Sequence, residues 1–389
     1  MIQNILKNTI FKLVLGVILG LIAGNYLNER SIQVILSLKH ILGQVIFFLI
    51  PLIVIGFVGA SITKLSSNSS KVFGFSLLLA YFASIAAQFF SLFFGYQIIP
   101  KLHIVNKIEA LKEIPEQIFT LDIPPIFSVM TALFLAFLLG LGVLWTKAKN
   151  LESILDELRD IISLLIKKLL IPIIPIFVAL NFTTLSYEGS IQKHLPIFIK
   201  VVLIVIVMHW IWLIVLYIFA AIVSKKNPLP LIKKYLPVYF TAVGTMSSMA
   251  ALGIAIEAIS KSKILKPDLS NFTIPFFASI HLCGSVITIV FFTMTVSQVL
   301  YGYIPDIGTM VLFIFLLAIF AVSAPGVPGG TVIASLGLIT AILGFDETGL
   351  ALLLSIFALQ DSFGTATNIT SDGALALISE KYYDRKSTK

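Results

Sequence analysis

Apolar residues run along this chain in long, nearly unbroken blocks, with polar and charged residues gathered between them. Blocks cover residues 10–27, 32–65, 72–99, 126–145, 161–185 and 195–223. Crossing the hydrocarbon of a bilayer takes about 20 apolar helical residues, so each block predicts a transmembrane helix, and the longer ones predict tilted helices. The first block follows Lys7 but leads to no small-residue cleavage signature, which predicts a retained helix rather than a signal peptide. Residues 101–125 are polar and proline-bearing and predict an external loop. Residues 147–168 place Glu152, Asp156, Glu157, Arg159, Asp160, Lys167 and Lys168 between leucines and isoleucines, the pattern of an amphipathic lead-in to the next span.

The last third of the chain is patterned differently. The apolar run 228–260 is interrupted by Val243-Gly244-Thr245-Met246-Ser247-Ser248-Met249, and the run 307–345 by Ser323-Ala324-Pro325-Gly326-Val327-Pro328-Gly329-Gly330. Each half is too short to cross, so each run predicts a re-entrant hairpin. Each hairpin precedes a long span with polar residues at its centre, Ser279 to Ser285 in one and Asp361 to Gly373 in the other. Both spans are expected to break there. Non-helical backbone at membrane depth is tolerated where protein buries it or water lines it, so the two tips predict a shared polar cavity. Hairpin plus broken helix, occurring twice, is the inverted-repeat pattern of secondary transporters.

Composition agrees: of 389 residues 58% are hydrophobic and 12% charged, and the mean hydropathy is +1.03, which excludes a soluble fold. The single cysteine, Cys283, excludes an intrachain disulfide and a cysteine-built metal site. The net charge of +8 comes from lysines dispersed between apolar blocks, at 64 and 71, 147 and 149, 225–226 and 233–234, 261–266, and 381–389. No nucleic-acid recognition motif accompanies them. By the positive-inside rule they mark cytoplasmic loops and place both termini inside.

Asp361, Thr365, Asn368 and Asp372 are spaced four, three and four apart, on one helical face. A carboxylate at bilayer depth costs about 2.5–3.5 kcal/mol unless partnered, and no basic residue stands nearby in sequence. A bound cation or a substrate ammonium would supply the partner. Asp372, beside Gly373, reads as an oxygen ligand for sodium; Asp361 reads as the grip on a substrate amino group. Ser247 and Ser248, with the free N–H groups of broken helix ends, suit a carboxylate. Gly326, Gly329 and Gly330 let the second tip approach a ligand closely. His281, at a broken centre, is a weaker candidate for proton chemistry, and His209, beside Trp210 and Trp212, reads as a packing residue. Phe89, Phe90, Phe93 and Phe94 read as lipid-facing or packing surface. No nucleophile triad, His-Glu-x-x-His site, phosphate loop or dinucleotide fingerprint supports an enzyme.

Five segments carry a resemblance to a known family: Lys12-Leu13-Val14-Leu15-Gly16-Val17-Ile18-Leu19-Gly20, Phe47-Phe48-Leu49-Ile50-Pro51-Leu52-Ile53, Thr245-Met246-Ser247-Ser248, Gly326-Val327-Pro328-Gly329 and Asn368-Ile369-Thr370-Ser371-Asp372. The chain resembles the dicarboxylate/amino acid:cation symporters, the bacterial and archaeal homologues of glutamate transporters. That resemblance implies an all-α polytopic protein of about eight transmembrane helices plus two hairpins, working as an elevator in a homotrimer. Residues 1–227 would be mainly scaffold, with the third span, 72–99, moving with a transport unit formed by 228–389. It implies sodium at Asp372 with carbonyls of Phe277, His281 and Asn368, and no other cofactor. It also implies a substrate held by Ser247, Ser248, Val327, Gly329, Asp361, Thr365 and Asn368, with the second tip as extracellular gate.

Two departures qualify this. The family's Asn-Met-Asp-Gly-Thr tract reads His281-Leu282-Cys283-Gly284-Ser285, so a second sodium-ligating aspartate is replaced by Cys283, and Ser84 is the one plausible survivor of its third-span site. The arginine that members handling acidic substrates carry falls at Gly364, and the chain's three arginines, Arg30, Arg159 and Arg385, lie elsewhere. The expectation is a sodium-driven importer of a small amino acid or related carboxylate in a bacterial or archaeal cell membrane, with a neutral amino acid favoured over aspartate, glutamate and C4-dicarboxylates. The alternatives are proton coupling through His281 with a carboxylate or dicarboxylate as cargo, or an uncoupled channel or receptor.

Overall fold

The computed structural model describes residues 9–63, 71–102, 114–324 and 329–387, and every regular element among them is helical. In chain order these are α1 (Thr9–Tyr26), α2 (Glu29–Val54, continued by a π turn at Ile55–Gly59 and by Ala60–Thr63), α3 (Lys71–Ile98), α4 (Val129–Thr146), α5 (Lys149–Leu165) and α6 (Ile171–Glu188). Then follow α7 (Ser190–Ser224), α8 (Leu229–Thr245), α9 (Ser248–Ser262), α10 (Pro267–Ile280), α11 (Cys283–Val296), α12 (Ile307–Ser323), α13 (Gly330–Leu343) and α14 (Glu347–Ser387). Among the described residues six stretches are long and apolar enough to cross a membrane: Glu29–Gly59, Gly74–Leu102, Lys149–Glu188, Pro196–Ser224, Thr273–Tyr301 and Glu347–Tyr382. The apolar parts of α1 and α4 are shorter.

The predicted lead-in is α5, which buries Leu155 and Ile162, exposes Glu157 and Asp160 and leaves Glu152, Asp156 and Arg159 half-buried, then runs through a π turn at Ile166–Leu170 into α6. Helix α1 lies along α6. Gly16, Gly20 and Gly24 form its contact face, and a Cβ on Gly20 would sit 2.5 Å from the Ala179 carbonyl oxygen. In lipid the hydrophobic effect does not draw helices together, so such small residues matter because they let backbones approach. The Ser186 hydroxyl donates to the Leu21 carbonyl at 2.8 Å across the same contact.

Helix α14 runs through the middle of the other half, packed by α7, α8, α10 and α11. It is continuous from Glu347 to Ser387, which corrects the expectation that the span breaks at 361–373. The glycines there clear space for neighbours instead of unwinding the helix. Gly364 faces the backbone of Gly284 and Ser285, and a Cβ on Gly373 would lie 2.7 Å from the Tyr217 hydroxyl. The other predicted break is present: α10 ends at Ile280, His281 and Leu282 are non-helical, and α11 begins at Cys283. Near the far end of α14, the fully buried Glu380 takes Lys226 Nζ as ion-pair partner and accepts from the Lys266 backbone N–H at 2.8 Å. It thereby ties α14 to the end of α7 and the start of α10.

Candidate functional site

Helices α8 and α9 meet at a turn of two residues. Met246 closes α8 in the left-handed region (φ 53°), and its N–H bonds to the Ala242 carbonyl at 2.8 Å. Ser247 then caps α9, its hydroxyl accepting from the Ala250 N–H at 3.3 Å. A left-handed C-cap followed by a serine N-cap reverses the chain in minimal length. Helix α12 ends at Ser323, and α13 starts at Gly330 with Gly329 (φ 71°) as its N-cap. Val327, with 325, 326 and 328, lies outside the described residues.

A cavity is lined by Met246, Ser247 and Ser248 from the α8–α9 turn, Gly330 and Thr331 from the start of α13, Ser279, Leu282 and Ser285 around the α10–α11 break, and Asp361, Thr365 and Asn368 from α14. Asp361 is 4% exposed, and its Oδ2 accepts from the Gly329 backbone N–H at 2.7 Å. Among the described lining residues Asp361 is the one acid, and none is basic. A neighbouring cavity shares Asp361, Met246 and Gly329 but is otherwise apolar, walled by Ile171, Ile174, Val332, Ile333, Leu354, Phe357 and Ala358.

Asn368 has a task the sequence did not reveal. Its Oδ1 accepts from the backbone N–H groups of Gly284 at 2.8 Å and Ser285 at 3.2 Å, and its Nδ2 donates to Ser285 Oγ at 3.0 Å. It caps α11 from another helix, satisfying N–H groups that a helix start leaves free.

Asp372 is separated from this cavity. It is fully buried, and its Oδ1 lies 3.0 Å from His281 Nδ1, while Oδ2 has no hydrogen-bond partner among the described residues. The Phe277 carbonyl accepts the His281 N–H at 2.8 Å, and the Asn368 carbonyl accepts the Ser371 hydroxyl at 2.6 Å. Ser371 also lies 3.1 Å from Cys283 Sγ. The one predicted face of α14 therefore serves two places: Asp361, Thr365 and Asn368 line the cavity, and Asp372 meets His281 beneath it.

The sequence reading missed Gln360, Thr288 and the part played by His209. His209 is fully buried, but it is hydrogen-bonded to the Gly284 carbonyl and to Gln360, not merely packed. A glutamine inside an apolar run beside Asp361 was the available signal.

The sequence profile of the Sodium:dicarboxylate symporter family matches residues 7–382. The chain is 26% identical over 391 residues to the serine/threonine transporter SstT of Streptococcus agalactiae serotype III, covering 95% of each. It is 28% identical over 259 residues to SstT of Acinetobacter baylyi, covering 64% of this chain and 63% of that relative. Human excitatory amino acid transporter 2 is 23% identical over 247 residues, 61% of this chain and 42% of the relative.

Proposed function

We propose that this chain, which belongs to the sodium:dicarboxylate symporter family, is a secondary active symporter that imports a small neutral amino acid, with serine and threonine as the leading candidates. The observation that carries this is the cavity chemistry: one buried carboxylate, several hydroxyls and no basic side chain among the described lining residues. A substrate ammonium would neutralise Asp361, whose second oxygen is already held by the Gly329 N–H. The substrate carboxylate would lie toward the start of α9, where Ser247 and Ser248 and the free N–H groups favour negative charge. Thr365, Thr331 and Ser285 would meet a hydroxyl side chain. A second substrate carboxylate would find no bidentate partner, which disfavours aspartate, glutamate and dicarboxylates. The printed name of the streptococcal relative, a serine/threonine transporter, points the same way.

In this reading sodium is the coupling ion, with Asp372 and the carbonyls of Phe277, His281 and Asn368 as its ligands. Helices α8–α14, with α3, move as one unit against the remaining helices of a homotrimer, lysine-rich loops on the cytoplasmic side. Val327 and Gly329, in the second tip, belong to the gate.

Proton coupling is the second reading, favoured by the 3.0 Å approach of His281 Nδ1 to Asp372, where a proton occupies the contact a cation would otherwise make. The test is accumulation of labelled L-serine in proteoliposomes under imposed gradients. Accumulation driven by sodium supports the first reading; accumulation driven by protons alone replaces it with the second; equilibration without accumulation makes the protein a channel.

A further inference from the structure

We propose that His209 of α7 is a positioning residue for the substrate cavity, joining the first turn of α11 to the α14 segment that carries Asp361. This rests on reading the Asp361 cavity as the substrate site.

The ring lies between three helices. Nε2 is 2.9 Å from the Gly284 carbonyl and 3.2 Å from Thr288 Oγ1, and Nδ1 is 3.1 Å from Gln360 Nε2. A carbonyl can only accept, so Nε2 carries the proton, and Nδ1 accepts from the Gln360 amide. The Thr288 hydroxyl closes the circuit by donating to Gln360 Oε1 at 2.8 Å. His209, Thr288 and Gln360 are all fully buried. Both ring nitrogens are therefore satisfied, the condition for keeping a polar ring inside an apolar bundle.

The partners adjoin the cavity on both sides. Gly284 precedes Ser285, which lines the cavity and bonds Asn368. Gln360 precedes Asp361. The tolerance between α11 and α14 is small, because a Cβ on Gly284 would lie 2.4 Å from the Gly364 carbonyl oxygen. The helices touch backbone to backbone, so a small shift of the α11 tip displaces Ser285 relative to Asp361. An apolar side chain of similar size at 209 would fill the space but leave Gln360 and the Gly284 carbonyl without this partner.

The neighbouring Cys283 reports the placement of that tip without any substrate. It is the chain's single cysteine and is fully buried, so thiol labelling has no background. The experiment compares wild type, His209→Leu and His209→Gln, all confirmed folded by size exclusion and a cooperative thermal transition. Maleimide labelling of purified protein and L-serine uptake in proteoliposomes are the two readouts. His209→Leu is expected to label about tenfold faster and to raise KM about tenfold with Vmax within about twofold, the size expected when buried hydrogen bonds lose a partner. His209→Gln retains an amide donor and is expected to restore both toward wild type.

A folded His209→Leu protein that labels and transports like wild type overturns the proposal. So does a loss confined to Vmax at unchanged KM and labelling, the mark of a merely structural role. If the wild type takes up no serine, the substrate reading fails on its own, while the labelling comparison still decides whether His209 holds the α11 tip.

Discussion

Asp361 and Asp372 sit on one helix, yet they answer to different neighbours, and substitutions separate their roles. Asp361→Asn keeps shape and still offers an oxygen to the Gly329 N–H, so folding and assembly are expected to survive. The ammonium loses its counter-charge in a buried site, a loss of about 3–5 kcal/mol, and L-serine binding is expected to vanish in a thermal-shift titration. Unchanged uptake would remove Asp361 from the substrate site. Asp372→Asn acts beneath the cavity, where Oδ1 meets His281. Under the sodium reading its half-saturating sodium concentration for uptake is expected to rise about tenfold, the equivalent of about 1.4 kcal/mol. An unaltered sodium dependence would count against Asp372 as a ligand.

Helix contacts depend on where side chains are missing as much as on where they are present. Gly20→Leu forces atoms into the α6 backbone, since even a Cβ would sit 2.5 Å from the Ala179 carbonyl oxygen. Overpacking of this kind costs about 1–3 kcal/mol, and the thermal midpoint in detergent is expected to fall accordingly. Gly142 of α4 is the control: nothing lies within 4 Å of a Cβ built there. Gly142→Ala is expected to be neutral or stabilising by up to about 1 kcal/mol, because alanine loses less backbone freedom on entering a helix. A Gly20→Leu protein as stable as Gly142→Ala would refute the close α1–α6 contact.

Two parts of the molecule meet near the head of α14. Glu347 Oε1 accepts from Gln44 Nε2 of α2 at 3.1 Å, and Gln44 Oε1 in turn accepts from the Ile123 backbone N–H at 3.4 Å. His40 stands 3.6 Å from Glu347 and 3.5 Å from Asp122. If α14 travels against α2, this contact forms and breaks in each cycle. Cysteines at 44 and 347 in a Cys283→Ser background, bridged by a short bismaleimide, are expected to stop uptake while each single cysteine leaves it intact. Undiminished uptake by the bridged protein would exclude relative movement of these two helices.

The apolar blocks by themselves determined the long helices at Glu29–Gly59, Gly74–Leu102, Lys149–Glu188 and Pro196–Ser224, because a helix in hydrocarbon must be long and apolar wherever it packs, while the blocks at 10–27 and 126–145 gave shorter apolar helices than predicted. They also located the turn at 246–247, the helix ends at Ser323 and Gly330, and the break at 281–282, although the same serine and glycine signal at 361–373 left α14 unbroken. Asp361 stood out for the same reason: an acid in such a run demands a partner. Which partner it has was beyond the sequence, because partners arrive from other helices. Only the tertiary structure gave Asp361 the Gly329 N–H, Asn368 the start of α11, Asp372 the His281 ring, and His209 its two-sided hold on Gly284 and Gln360. It also decided that the glycines of α14 are clearances and not breaks. A glycine reads the same in sequence whether it frees a backbone or makes room for a neighbour, and only packing distinguishes the two.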